Sequence, residues 1–366
     1  MRICHVLSME SPGRAQPRAI SDAGILACRQ AIEASPEHEH TVLLFGPGGF
    51  ERRALALGID TTDRIACPSN DPAHAETALE RYLTDRPLFD VLTCYAQRTL
   101  ALWQRAGWLS LDAVGVMLGL PREVRHLEGT PIIALDERDA RAWQDAGGEV
   151  SLAEPKPMPT HGGDRVRWRA RLGAQDDELV VALLSDPGSA GDAAWFCYLL
   201  MVLEYRGVRT IGLLSHDASG WTRAAMIHRN MRLRSPLVRI ESPIVNAMPF
   251  CDACVTHADD CAGSRGALRL LLSHAADLGV PVVGGPLLGE LLDMPEIARE
   301  ALVAPDTRQT ALTEPLARLA GSKMLRRRLR TILREGCTPR DPSLGETLRS
   351  VWAHAPARRR SVSMSC

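Results

Sequence analysis

The chain has 366 residues, too many for one ordinary hydrophobic core and suited to two domains. Lys plus Arg number 43 and Asp plus Glu 44, so a near-neutral balance argues against a dedicated nucleic-acid binder. There is no run of about 18 uncharged apolar residues to span a membrane and no apolar signal segment before the first strand-like residues, and the ten cysteines are scattered as in a reducing cytoplasm.

Strand-like and helical runs alternate along the chain. Arg2–Ser8 reads as a strand and Ala19–Ala34 as a helix. His40–Gly46 is a strand that enters a Gly-Pro-Gly-Gly turn. Phe89–Cys94, Ala113–Leu118 and Pro131–Leu135 are further short apolar runs. Asp136–Ala146 is a helix, with Gly147 and Gly148 as its stop signal. Residues 153–165, AEPKPMPTHGGDR, break the pattern as a Pro- and Gly-rich linker does.

The alternation then restarts. Leu179–Ser185, Val208–Ser215, Leu237–Glu241, Ala253–Thr256 and Val280–Val283 read as strands. Ala190–Tyr205, apolar nearly all round, is a buried helix. Gly220–Asn230 and Arg265–Leu278 are helices, the second with Leu268, Leu271, Leu272 and Ala275 on one face. Thr307–Ala320 and Lys323–Glu335 follow, and ARRRSVSMSC closes the chain as a basic polar tail expected to be disordered. The fold class is α/β: two Rossmann-like, doubly wound domains facing across a cleft. The expected divisions are 1–155 for the first domain, 166–335 for the second and 336–366 for a helix crossing back plus the tail. Ligands in such folds sit at the carboxyl ends of the strands.

At this level the residues resemble a family. GVPVVGG, a following GE, ALVAPDT and the helical LARLAGSKMLRRRLRTILREG look like the C-terminal domain of GT-B glycosyltransferases of family 4. RARLGAQDDELVVALLS resembles the opening of that domain, ALDERDARAWQDAGGEVSLAEP its crossover, CDACVTHADD its next strand, and DPSLGETLRSVWAHA its final helix. The resemblance implies a nucleotide-sugar donor, transfer with retention of anomeric configuration, and no tightly bound metal. The chemistry departs from it. The family's Glu-x7-Glu falls on Gly266 and His274, its donor-neutralising Arg and Lys fall near Ser185 and Ala190, and its first-domain histidines fall near Tyr95 and Met117. The N-terminal glycine pair is reduced to Gly13.

A departing diphosphate must be held by cations, a metal or backbone N–H groups at a helix start. Gly263, Ser264, Arg265 and Gly266 open the helix before GVPVV, with Ser264 as N-cap, two glycines for close approach and Arg265 as positive charge. The plainer alternative is an ordinary capped helix with a solvated Arg. Asp259 and Asp260 just before it are candidates for sugar hydroxyls, or else solvated loop acids. His274 is either a ribose contact or a structural histidine. Gly284 and Gly285 are expected to leave strand backbone open to a ligand, and Glu290 to reach the nucleotide or sugar. Ser215, His216, Asp217 and Gly220 are weaker candidates for a base pocket.

Other motifs compete. Cys251, Cys254, His257 and Cys261 are metal-ligand types, but a strand through them sends alternate side chains to opposite faces. Gly46–Gly49 lacks the third glycine of a dinucleotide fingerprint and reads as a turn. Lys323, Arg326, Arg327, Arg328, Arg330 and Arg334 make a basic helix, either a solvated face or a contact with an anionic membrane, to which Arg358–Arg360 would add. Two further classes stay open. One is a catalytically silent relative that binds or regulates a partner; the other is a different nucleotide-sugar enzyme, such as an epimerase, on the same scaffold.

Overall fold

The computed structural model describes residues 1–8, 22–45, 50–59, 63–65, 77–78, 81–82, 89–95, 97–105, 112–121, 127, 129–155, 164–184, 192–215, 220–241, 243–257, 265–336 and 342–363. Two parallel sheets carry it. The first joins β1 (Arg2–Ser8), β2 (Glu39–Phe45), β3 (Asp63–Ile65), β4 (Val91–Cys94), β5 (Asp112–Met117), β6 (Pro131–Ala134) and β7 (Glu149–Leu152) in the order β3-β2-β1-β4-β5-β6-β7. The second joins β8 (Leu179–Leu183), β9 (Thr210–Ser215), β10 (Leu237–Ile240), β11 (Ala253–Val255) and β12 (Val282–Val283) in the order β10-β9-β8-β11-β12. Each is doubly wound about its first strand, so strand order reverses between β1 and β4 and between β8 and β11. The strands are continuous apolar runs because helices cover both faces. β4 and β8 are buried at every position.

The helices that position the site are α1 (Asp22–Ala34), α2 (Phe50–Ala56), α3 (Gln97–Arg105), α4 (Glu137–Asp145), α5 (Arg165–Arg171), α6 (Asp192–Tyr205), α7 (Trp221–Asn230), α8 (Ile244–Ala247) and α9 (Arg265–Asp277). After β12 come α10 (Pro286–Leu291), α11 (Glu296–Leu302), α12 (Gln309–Gly321), α13 (Lys323–Gly336) and α14 (Leu344–Ser363). α14 returns to the first sheet, where Trp352 is fully buried and its Nε1 donates to Thr93 Oγ1 at 3.2 Å. The helix runs to Ser363, which corrects the expectation of a disordered tail. Alanine and arginine are strong helix formers, and a long amphipathic helix already docked on the sheet extends through them. Residues 156–163 of the proposed linker, Gly46–Gly49 and Gly13 lie outside the described residues.

Under α1 and α14 a polar chain crosses the first core. His40 Nε2 lies 2.8 Å from the carbonyl of Ser35, which only accepts, so that nitrogen carries the proton. His40 Nδ1 must then accept from His5 Nε2 at 2.9 Å, and His5 Nδ1 must accept from the Tyr95 hydroxyl at 2.9 Å. One carbonyl thus sets the tautomers of two histidines. Burial, then the charge His40 would carry, pushes His5 down to about 3, so it stays neutral. Tyr95→Phe would leave His5 Nδ1 buried without a donor. We expect a loss of about 1–3 kcal/mol in urea unfolding, and an unchanged midpoint would show that the chain of bonds is not formed.

Candidate functional site

The carboxyl edges of the two sheets meet at the first turn of α9. Leu268, Leu271, Leu272 and Ala275 are buried and seat this helix, and Gly279, at φ +65°, ends it in the left-handed region. At its start the Gly266 N–H donates to Asp139 Oδ2 at 3.0 Å and the Ala267 N–H to the Leu118 carbonyl at 3.0 Å. Both acceptors belong to the half of the chain that builds the first sheet. Arg265 donates through Nε to Asp136 Oδ1 at 3.2 Å and through Nη2 to Glu290 Oε2 at 3.0 Å. One turn on, Arg269 donates to the Leu135 carbonyl at 2.7 Å and to Glu154 Oε1 at 3.1 Å.

Glycine at 266 suits this close approach. A Cβ there would lie 3.3 Å from Asp139 Oδ2 and 3.3 Å from the backbone of Leu118, tighter than ordinary contact. The expectation of an open perch for a diphosphate is therefore corrected. The amide of Gly266 already holds a negative oxygen, and that oxygen comes from the protein. Arg265 is not a solvated cation, because Asp136 and Glu290 balance it.

Asp139 is held in place by its own helix. Asp136 caps α4, accepting from the N–H groups of Arg138 at 3.0 Å and Asp139 at 3.3 Å. The side chain of Asp139 is fully buried, and its Oδ1 has no hydrogen-bond partner among the described residues. Burial pushes its carboxyl up to about 6 and the charge of Asp136 adds to this, while the Gly266 N–H and the Arg265 charge oppose it.

The other candidates distribute as follows. His274 is 6% exposed, packs where α9 meets α1, and has no partner for Nδ1 among the described residues. Burial first, then the Arg29 charge, lowers it to about 4, so it is a neutral histidine in packed protein. The reading as a ribose contact is not what this position offers. Gly284 is paired through both backbone groups, to Leu302 and Ala304, and a Cβ on Gly285 would meet Thr307 at 2.6 Å. The chain beyond α11 covers this edge, which corrects the expectation of open backbone. Glu290 is exposed and spent on Arg265. Asp259, Asp260, Gly263 and Ser264 lie outside the described residues, as do His216 and Asp217.

Tyr95 and Met117 are buried in opposite core layers of the first sheet, so neither projects as a substitute for a cleft histidine. Cys251 and Cys254 are buried thiols. Cys251 Sγ donates to the Ala247 carbonyl at 3.3 Å, and the ring of His257 packs on Trp195 at 4.5 Å. No group of three or more metal-ligating side chains exists among the described residues, and Cys261 lies outside them. Sequence reasoning missed Asp136, Asp139, Arg269 and Glu154. Asp136-x2-Asp139 carries only the signal of a helix start.

No family model and no curated protein matches the chain. Solved structures do. Over 100% of its length and 100% of the other chain, it is similar to sucrose-phosphate synthase from Thermosynechococcus elongatus, at 12% identity and a TM-score of 0.61. It is similar to WaaG, a glycosyltransferase involved in lipopolysaccharide biosynthesis, at 14% identity over 92% of this chain and 95% of that one, TM-score 0.63. It is also similar to UDP-GlcNAc 2-epimerase from Neisseria meningitidis bound to UDP-GlcNAc, at 12% identity over 98% and 100%, TM-score 0.54. At these identities the likeness is one of fold. The chain has the GT-B fold, and since transferases and an epimerase share it, the likeness does not single out family 4.

A buried acid raised to about 6 favours its protonated form in the native state. What Asp139 adds to stability is present below about pH 4 and is lost as the pH rises through about 6. Asp139→Asn keeps an acceptor for the Gly266 N–H and nothing to ionise. Thermal or urea unfolding should show the variant more stable than wild type above pH 6, by up to about 3 kcal/mol at 1.36 kcal/mol per pH unit, with the gap closing near pH 4. His274 acts with the opposite sign over a similar range, so the variant's stability should rise with pH more steeply than the wild type's. Equal curves at pH 7.5 would show that Asp139 is not a buried carboxyl.

Proposed function

We propose that the chain is a sugar-processing enzyme that takes a nucleotide-sugar donor and transfers the sugar to an acceptor. The observation that carries this reading is the start of α9, where a helix terminus, an arginine and a carboxylate oxygen meet between the carboxyl edges of the two sheets. Such a terminus binds anionic oxygen through its N–H groups and its dipole. In the present arrangement Asp139 supplies that oxygen. A nucleoside diphosphate, with more charge and more acceptor atoms, competes for the same place.

On this reading α4 and α9 part when the donor binds. Gly266 and Arg265 then face the diphosphate, and Glu290, which shares Arg265 with Asp136, is released with it. Charge developing on the departing diphosphate is stabilised by the amides and Arg265, freed from Asp136. Retention at the anomeric carbon and the absence of a tightly bound metal are parts of the proposal taken from the family resemblance. Its partners are the donor, an acceptor and, through the basic helix α13, an anionic membrane surface, with no nucleic acid. A cytoplasmic setting fits the six free, buried cysteines among the described residues, and no helix among them is long and apolar enough to cross a membrane.

A second reading has one observation in its favour: the fold is shared with a UDP-GlcNAc 2-epimerase bound to its substrate. It uses the same donor site and differs only in product. Calorimetric titration of UDP- and GDP-sugars tests both readings. We expect saturable binding, weakened at least tenfold by Arg265→Ala and tightened several-fold by Asp139→Asn, since a competing internal anion lowers apparent affinity by the fraction of closed protein. Release of nucleoside diphosphate marks transfer, and an epimerised donor marks the second reading. No binding of any nucleotide sugar, by wild type or by Asp139→Asn, defeats both.

A further inference from the structure

A concentration of one charge sign among the described residues lies away from this site. α5 holds Arg165, Arg167, Arg169 and Arg171, and α13 holds Lys323, Arg326, Arg327, Arg328, Arg330 and Arg334, with Glu335 as the only acid inside either helix. The fold joins the two helices through one carboxylate. Asp252, 7% exposed at its side chain, receives Arg165 at 2.6 Å, Arg169 at 2.7 Å and Arg326 at 3.7 Å. It also accepts the Val180 N–H at 2.9 Å. Arg330 and Arg334 reach the carbonyls of Gly279 and Leu278 at the end of α9.

One buried acid does not balance the guanidiniums gathered around it. Burial lowers Arg326 and Arg330, and the neighbouring arginines push the same way, which marks a positive local field. Beyond this inner group Arg167, Arg171, Lys323, Arg327 and Arg328 are exposed and make no side-chain ion pair or hydrogen bond among the described residues. Among them stand two of the most exposed large apolar side chains described, Val166 at 77% and Met324 at 79%. Each sits in the first turn of its helix beside a free cation. Val180 and Asp252 put the surface at the amino ends of β8 and β11, the edge opposite the start of α9.

We propose that α5 and α13 form one docking surface for an anionic lipid bilayer, with the free cations on lipid phosphates and Val166 and Met324 entering the headgroup layer. Charge complementarity selects this occupant. The chain as a whole is almost neutral, so its attraction to a negative surface has to come from a local concentration of cations such as this face. A bilayer also accepts apolar side chains between its headgroups, which a purely electrostatic partner does not. Asp252 acts as the keystone: it holds α5 and α13 side by side while spending only part of their charge. The proposal rests on the part of the proposed function that sets α13 against an anionic surface, and on nothing in the donor site.

Vesicle flotation tests it. Wild-type protein should float with vesicles of phosphatidylcholine containing phosphatidylglycerol, remain in solution with phosphatidylcholine alone, and be released by high salt. At about 1 kcal/mol per cation near such a surface, each charge removed weakens binding about fivefold. Arg167→Ala/Arg327→Ala/Arg328→Ala should therefore lose roughly a hundredfold, and since these side chains have no partner, unfolding curves should not move. Val166→Ser/Met324→Ser should weaken binding with the charge unchanged. Nucleotide-sugar titration of the same variants should match wild type, so failure here and failure at the donor site read separately. Equal flotation with neutral vesicles, no flotation, an unaffected triple variant, or binding to duplex or single-stranded nucleic acid in place of vesicles would each overturn the proposal.

Discussion

The bond from the Gly266 amide to Asp139 is the contact on which the arrangement of the two sheets turns. A helix exposes unpaired N–H groups at one end and unpaired carbonyls at the other, and α9 has both ends occupied by charges from elsewhere. Asp139 and Asp136 approach its positive end, and Arg330 and Arg334 bond the carbonyls at its negative end. Charges so placed are worth about 0.3–1 kcal/mol each at a surface and up to about 2 where partly buried. Arg269 adds two further bonds to the half of the chain that carries the first sheet. The position where a GT-B ligand is expected is thus also the position where the protein closes on itself.

This closure is not free of strain. Asp139 is buried with one oxygen unpartnered among the described residues, and its raised pKa records the cost of keeping it ionised. A contact that binds in the right place while one partner resists its charge is suited to exchange. Under the proposed function, an incoming diphosphate must offer α9 more than Asp139 does, and it gains in addition whatever Asp139 recovers on returning to water. A ligand moves such an equilibrium only by its difference in affinity for the two arrangements.

Much of the fold was legible from periodicity. The apolar runs placed β1, β2, β4 to β6 and all five strands of the second sheet to within a few residues, because buried parallel strands have little freedom in composition. The stripe on α9 and its stop at Gly279 were equally plain. At the start of α9 the sequence suggests a place for an external anion, whereas the structure sets the carboxylates of Asp136 and Asp139 there. Gly266 is separated from Asp139 by 127 residues and Arg265 from Asp136 by 129, and neither acid shows more than a capped helix start when read alone. Gly284 and Gly285 looked like open backbone because the covering residues, Leu302 to Thr307, have no local signal of where they will lie. His274 has the chemistry of a ligand contact, but its burial against α1 is a tertiary fact. The helical extension to Ser363 is not signalled by charge, which reads as disorder, but by Ala and Arg, which favour helix.

The most direct test is the amide resonance of Gly266 in protein labelled with 15N-glycine, followed while a nucleoside diphosphate is added. The account predicts a saturable shift at Gly266 as its N–H passes from the carboxylate of Asp139 to a phosphate oxygen. A Gly266 resonance that stays fixed while other glycines report saturation would place the ligand elsewhere and contradict the account.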